Sequence, residues 1–308
     1  MKKWLLILLI ILVAASGVIF LLFPRNGQLL QNRKLVVNSK AFARSIHDEI
    51  NWAKWWPGRV NSYGKKMQFE YNGNTFVISE KKLTSLIVDI QHGIDSLKTE
   101  LVFIPANADT VLISWEEVNP ATASKNRLKV SNINHDIAAI LQRMQDYYAK
   151  EENIYGLKIK KESVMDSTLI STETTSQGYP SVGLVYGLID KLKTYATQND
   201  ATESGLPMLN IFTKDSINYK VQAALPLNKK LKDGNEIHYR WMLGNGNILV
   251  AEVKGGSYTI NKGFQAIEIY IQDHSMVAPA ISFESLVTDR RAETDTSKWV
   301  TKLYWPVM

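Results

Sequence analysis

A single carboxylate, Glu284 in Pro279-Ala-Ile-Ser-Phe-Glu-Ser-Leu-Val, stands among apolar and aromatic neighbours near the end of this 308-residue chain. Apolar surroundings make a lone carboxylate costly to keep charged, so its pKa rises unless a cation arrives. Cation recognition is one chemistry such a group supports; general acid or base work is another. Aromatic residues in the same stretch are Trp241, Tyr258 and the pair Tyr304 and Trp305 in the closing Leu-Tyr-Trp-Pro-Val. Alternation along a strand lets only one of that pair face a given side, and Tyr304 is the expected one. Each has a blander reading: a glutamate on a strand's solvent face is the commonest kind, and aromatic side chains bury large areas wherever they sit.

Other chemistries find little support. The five histidines never form a close pair and no His-Glu-x-x-His occurs, so no metal is expected. There is no cysteine, which removes disulfides and thiol nucleophiles, and nothing in the chain calls for a cofactor. The formal net charge is +6, yet the lysines and arginines are scattered without one basic face, which argues against nucleic acid as a partner. Gly244-Asn245-Gly246 reads as a hairpin turn between strands over 236–242 and 247–253, and Asp289-Arg290-Arg291 as a solvated loop.

The elements that would position Glu284 come in a repeated order. Gly178-Tyr179-Pro180 opens a helix through Leu184, Leu188 and Leu192, followed by Gly205-Leu206-Pro207 and strands over 208–213 and 219–225. About eighty residues later Gly255-Gly256-Ser257-Tyr258 opens a helix through Phe264, Ile267 and Ile271, followed by the strand carrying Glu284 and a strand over 299–305. Such a spacing argues for a duplicated supersecondary unit folded into one domain.

Gly-Leu-Pro before a strand, Gly-Gly-Ser-Tyr before a helix, Phe-Glu-Ser-Leu and the terminal Leu-Tyr-Trp-Pro-Val together resemble the gyrase-inhibitor-like (GyrI-like) family, the effector-binding domain of some bacterial transcription activators. The resemblance covers about Ile159 to Met308. It implies a saddle-shaped sheet whose central cleft takes small, often aromatic or cationic molecules, with a glutamate at the bottom. By motif position that glutamate is Glu284, with Tyr258, Trp241 and Tyr304 as ligand-binding walls; Gln222 stands where a second acid would be looked for. Some members are hydrolases of reactive electrophiles, which would make Glu284 catalytic, so binding and hydrolysis stay open.

Towards the amino terminus, Trp4 to Phe23 is a run of about twenty uncharged residues, enough at about 1.5 Å per residue to cross about 30 Å of hydrocarbon. The apolar run continues well past Ala14-Ala15-Ser16-Gly17, so an uncleaved anchor is expected rather than a signal peptide. Residues 1–34 then form anchor and tether in a bacterial inner membrane, with the body on the outer, periplasmic side.

From Leu35 the pattern is a strand, a helix over 40–51 with Phe42, Ile46 and Ile50 on one face, a meander of strands at 66–71, 75–80, 84–91, 97–104 and 110–118, and a long helix. That helix carries Ile133, Ile137, Ile140, Leu141, Met144 and Tyr148 on one stripe. This order, with Val-Val-Asn-Ser-Lys-Ala-Phe at the front and Trp-Ala-Lys-Trp-Trp-Pro after the first helix, resembles the SRPBCC superfamily of lipid-transfer and polyketide-cyclase-like domains over 35–155. That resemblance implies a helix-grip antiparallel sheet and an apolar cavity under the long helix. Trp52, Trp55 and Trp56 are expected as core behind the first helix.

The expectation is therefore an α+β chain: an anchor, a helix-grip domain over 35–155 and a duplicated βαββ domain over 156–308. Its expected function is capture of a hydrophobic or cationic small molecule at the membrane, for sensing or protection. A hydrolase using Glu284 and a tethered protein-interaction module are the alternatives.

Overall fold

The computed structural model describes residues 30–63, 66–118, 127–164, 167–213, 215, 217–242 and 246–308. The span expected over residues 4–23 lies outside them. Among the described residues no helix is long and apolar enough to cross a membrane. The chain is mixed α+β and divides into two compact units between Ala149 and Lys150.

The first unit begins with β1 (Leu30–Val36), α1 (Ser39–Ile46) and α2 (Glu49–Trp52). The single helix expected over 40–51 is two: Asn38 caps the first by accepting from Lys40 N and Ala41 N, and Asp48 starts the second by accepting from Ile50 N. Six strands follow, β2 (Arg59–Tyr63), β3 (Lys66–Tyr71), β4 (Asn74–Lys81), β5 (Ser85–His92), β6 (Asp95–Asn107) and β7 (Thr110–Glu117), and then α3 (Arg127–Tyr148). They form an antiparallel sheet in the order β1-β7-β6-β5-β4-β3-β2; β2 was not expected, and β1 begins at Leu30, inside the stretch expected as a tether. The α3 stripe named above is buried along its whole length.

The inner side of this sheet holds aromatic rings. Trp52, Trp55, Trp56, Phe69, Phe76 and Trp115 are all buried and form a chain of contacts with ring centroids 5.0 to 6.2 Å apart. The indole N–H of Trp52 donates to Ile46 O and that of Trp115 to Thr99 Oγ1, so both large rings enter the core without an orphaned donor. The tryptophans are core, as expected.

The second unit contains α4 (Glu151–Tyr155), β8 (Ile159–Ser163) and β9 (Ser167–Gln177), then α5 (Val182–Gln198), β10 (Met208–Thr213), β11 (Asn218–Leu227) and β12 (His238–Met242). It ends with β13 (Asn247–Lys254), α6 (Ser257–Asp273), β14 (Phe283–Leu286) and β15 (Val300–Val307). The eight strands are ordered β12-β9-β11-β10-β14-β15-β13-β8, all neighbours antiparallel. Reading outward from the β10–β14 seam gives β10-β11-β9 on one side and β14-β15-β13 on the other, so each half is a β-α-β-β unit. The hairpin expected at 244–246 is not formed: β12 pairs with β9 and β13 pairs with β15 and β8, on opposite sides of the sheet. Residues 243–245 of that turn lie outside the described residues.

One face of the sheet carries the helices. Val185, Ile189, Leu192 and Ala196 of α5 pack on Val221, Ala223 and Leu225 of β11 in one buried cluster, each valine, leucine and isoleucine contributing about 1.5–3 kcal/mol. On α6, Ile260, Ile267 and Ile271 are buried, and Gly263 lies so close to the sheet that a Cβ there would stand 2.4 Å from Leu303 Cδ1 and 3.0 Å from Val253 Cγ1. Gly255 turns the chain into α6 with φ 142°, a conformation open to glycine, and a Cβ there would meet Thr259 Oγ1 at 2.5 Å.

Candidate functional site

Glu284 sits at the centre of the second unit's sheet. Its strand, β14, is only four residues long and lies between β10 and β15, with Glu284 opposite Leu209 on one side and Leu303 on the other. Alternation therefore places Glu284 on the same face as Leu209, Leu303 and Trp305, the face that α5 and α6 cover. Phe283 and Tyr304, paired in register, share the opposite face and stack with ring centroids 5.1 Å apart and planes 10° apart.

This corrects one expectation directly. Trp305, not Tyr304, lines the cleft with Glu284. The register fixes the choice: Leu303 opposes the glutamate, so the next residue, Tyr304, must point the other way. Trp241 is a second correction. It lies on the edge strand β12, 58% exposed, and is not among the residues that line the Glu284 cleft. Tyr258 stands on the first turn of α6 at the rim of the adjoining compartment, 70% exposed.

The compartment containing Glu284 has a volume of about 290 Å³. Its walls are aromatic: Tyr179 against Tyr219 with centroids 5.7 Å apart, and Phe264 of α6 against Trp305 at 6.1 Å. The charged side chains lining it are both acidic, Glu284 in the floor and Glu268 exposed on α6. The Tyr179 hydroxyl is pushed up to about 12, first by burial and then by the Glu284 charge.

Glu284 is not the unpaired group the sequence led us to expect. Its Oε2 accepts a 2.6 Å hydrogen bond from Arg290 Nη2, which also donates to Thr301 Oγ1 at 3.0 Å. Arg290 belongs to the Asp-Arg-Arg run expected as a solvated loop; Asp289 and Arg291 are exposed, but Arg290 is only 7% exposed. The turn holds it inward: Arg290 N donates to the Tyr186 hydroxyl at 2.7 Å, and the guanidinium lies over the Trp299 ring, 4.8 Å from its centroid. Arg291 stacks instead on Tyr186 and bonds Asp190. Burial pushes the Glu284 carboxyl upward and the adjacent guanidinium opposes that rise.

A second compartment, of about 460 Å³, adjoins the first; Tyr179 and Ile211 line both. Its remaining lining comes from the starts of α5 and α6, from Tyr186 and Trp299, and from Arg290. The Glu284–Arg290 pair thus has its acid facing one compartment and its base facing the other. Among the described residues no cluster of histidine and carboxylate groups could hold a metal ion.

No family model matches the chain. No curated protein matches it either. Among solved structures the chain is similar to the C-terminal domain of EcmrR, at 13% identity over 49% of this chain and 98% of that one, with a TM-score of 0.43. It is similar to a hydrolase from Listeria innocua at 10% identity over 49% and 92%, TM-score 0.37. It is also similar to SAV2435 bound to tetraphenylphosphonium, at 14% identity over 49% and 94%, TM-score 0.34.

Proposed function

We propose that the second unit is a small-molecule-binding domain of GyrI-like type, and that its cleft captures hydrophobic aromatic compounds, cationic ones above all. One observation supports this most: a cleft with aromatic walls on both sides in which every charged lining residue is acidic. Aromatic faces attract cations through the ring quadrupole, and the effect grows when the cation is desolvated, as it would be over Glu284. The helix-grip reading of residues 35–155 and the anchoring of residues 4–23 in a bacterial inner membrane belong to the same proposal. On it, an anchor would concentrate the cleft where lipophilic compounds partition.

The test is thermal unfolding of the full chain against tetraphenylphosphonium, a lipophilic aromatic cation. A ligand that binds only the folded state stabilises it by mass action, by about 2.7 kcal/mol at a hundred times its Kd. The second unit's transition should rise with concentration in the native chain and much less in Phe264→Ala, which removes one wall. An equal rise in both, or none in either, contradicts the reading.

A further inference from the structure

The compartment on the far side of the ion pair is lined differently from the one that holds Glu284. Arg290 is its charged lining residue. The guanidinium donates through Nη2 to Glu284 and Thr301 and lies over the Trp299 ring; among the described residues no hydrogen bond engages Nε or Nη1, and neither is a buried orphan donor. Arginine donors in a planar fork match a carboxylate or phosphate. Two seventeen-residue helices also begin at this compartment, α5 at Ser181-Val182 and α6 at Gly256-Ser257. In the first, Ser181 Oγ accepts from Leu184 N; the second has no side-chain cap among the described residues, so its leading amides have no such partner. Both dipoles add positive potential at the same place.

We propose that this compartment is a second subsite of the cleft, and that it takes the carboxylate of an aromatic acid. Trp299, Tyr186 and Tyr258 supply aromatic lining where the ring would lie, which favours an aromatic carboxylate over inorganic phosphate. The two subsites together would fit a bipolar molecule, its cationic or neutral aromatic end over Glu284 and its acid at Arg290. The inference rests on the same cleft as the proposal above, but on different residues and the opposite charge, so either can fail alone.

Calorimetric titration of the full chain with 2-naphthoate, inorganic phosphate and tetraphenylphosphonium tests it. Naphthoate should bind saturably and phosphate far more weakly. Glu284→Gln should tighten naphthoate several-fold, because the guanidinium loses the anion that now neutralises it, while weakening the phosphonium. Ser257→Trp, which fills the compartment from the first turn of α6, should abolish naphthoate binding and leave the phosphonium response. It also serves if the buried change at Glu284 harms folding. Absence of naphthoate binding, phosphate binding as tight as naphthoate, or naphthoate binding unaffected by Ser257→Trp would overturn the subsite.

Discussion

Glu284 and Arg290, six residues apart across the turn between β14 and β15, close a 2.6 Å hydrogen bond with both side chains more than nine-tenths buried. The pair does two jobs at once. It neutralises a charge that would be costly to hold in the centre of a sheet, and it sets an acidic wall and a basic wall back to back in one cleft.

Breaking the pair from one side should be far worse than replacing it. Arg290→Ala leaves the carboxylate buried and alone, and should lower stability by about 3–5 kcal/mol. The double change Glu284→Gln with Arg290→Met removes both charges and should recover most of that loss. Denaturant unfolding of the three chains checks it; a double variant as unstable as Arg290→Ala would show that the two residues do not act as a pair.

In the first unit, Gly58 is where the backbone admits no side chain. A Cβ there would stand 1.8 Å from Glu70 O and 2.9 Å from Glu70 C, both backbone atoms of β3. Gly58→Ala should therefore destabilise this unit by at least about 2 kcal/mol, since the strand must move to admit a methyl group. Loss of the first unit's unfolding transition at unchanged second-unit stability is the expected readout.

Glu117, at the end of β7, gives a pH dependence of known sign. It is 8% exposed, its Oε2 has no hydrogen-bond partner among the described residues, and burial pushes its carboxyl above its ordinary value of 4.5. The folded state thus holds the proton more tightly than the unfolded one. Its contribution is most favourable below pH 4.5 and is lost as pH rises through the folded pKa. Glu117→Gln should raise the first unit's melting temperature at pH 7, with the advantage shrinking as pH falls towards 4. A constant advantage at all pH values would mean that the charge is not the cause.

Much of this was legible in the sequence, for reasons that can be named. The α3 stripe and the meander strands have hydrophobic periods that leave one reading, and the Gly-Tyr starts of α5 and α6 revealed the duplication. Glu284 could be picked out because its neighbours are apolar on both sides. The errors fall where pairing partners decide the outcome. Tyr304 and Trp305 alternate equally well in either sense, and only the opposition of Leu303 to Glu284 sets which ring enters the cleft. Arg290 sits in a polar run of ordinary loop composition, and its burial follows from Tyr186 and Trp299, both distant from it along the chain or across the turn. The supposed hairpin at 244–246 failed for the same reason, since two strands with a glycine turn between them were claimed by opposite halves of the sheet.

The charge preference of the Glu284 compartment decides whether that carboxylate recognises the ligand. The dissociation constant of tetraphenylphosphonium should be compared with that of the neutral, similarly shaped triphenylphosphine oxide, in the native chain and in Glu284→Gln. The native chain should bind the cation more tightly, and in the variant that preference should be lost while the neutral compound binds as before. Equal affinity for both compounds in the native chain, or a preference that survives Glu284→Gln, would contradict the assignment of Glu284 as the group that recognises the ligand.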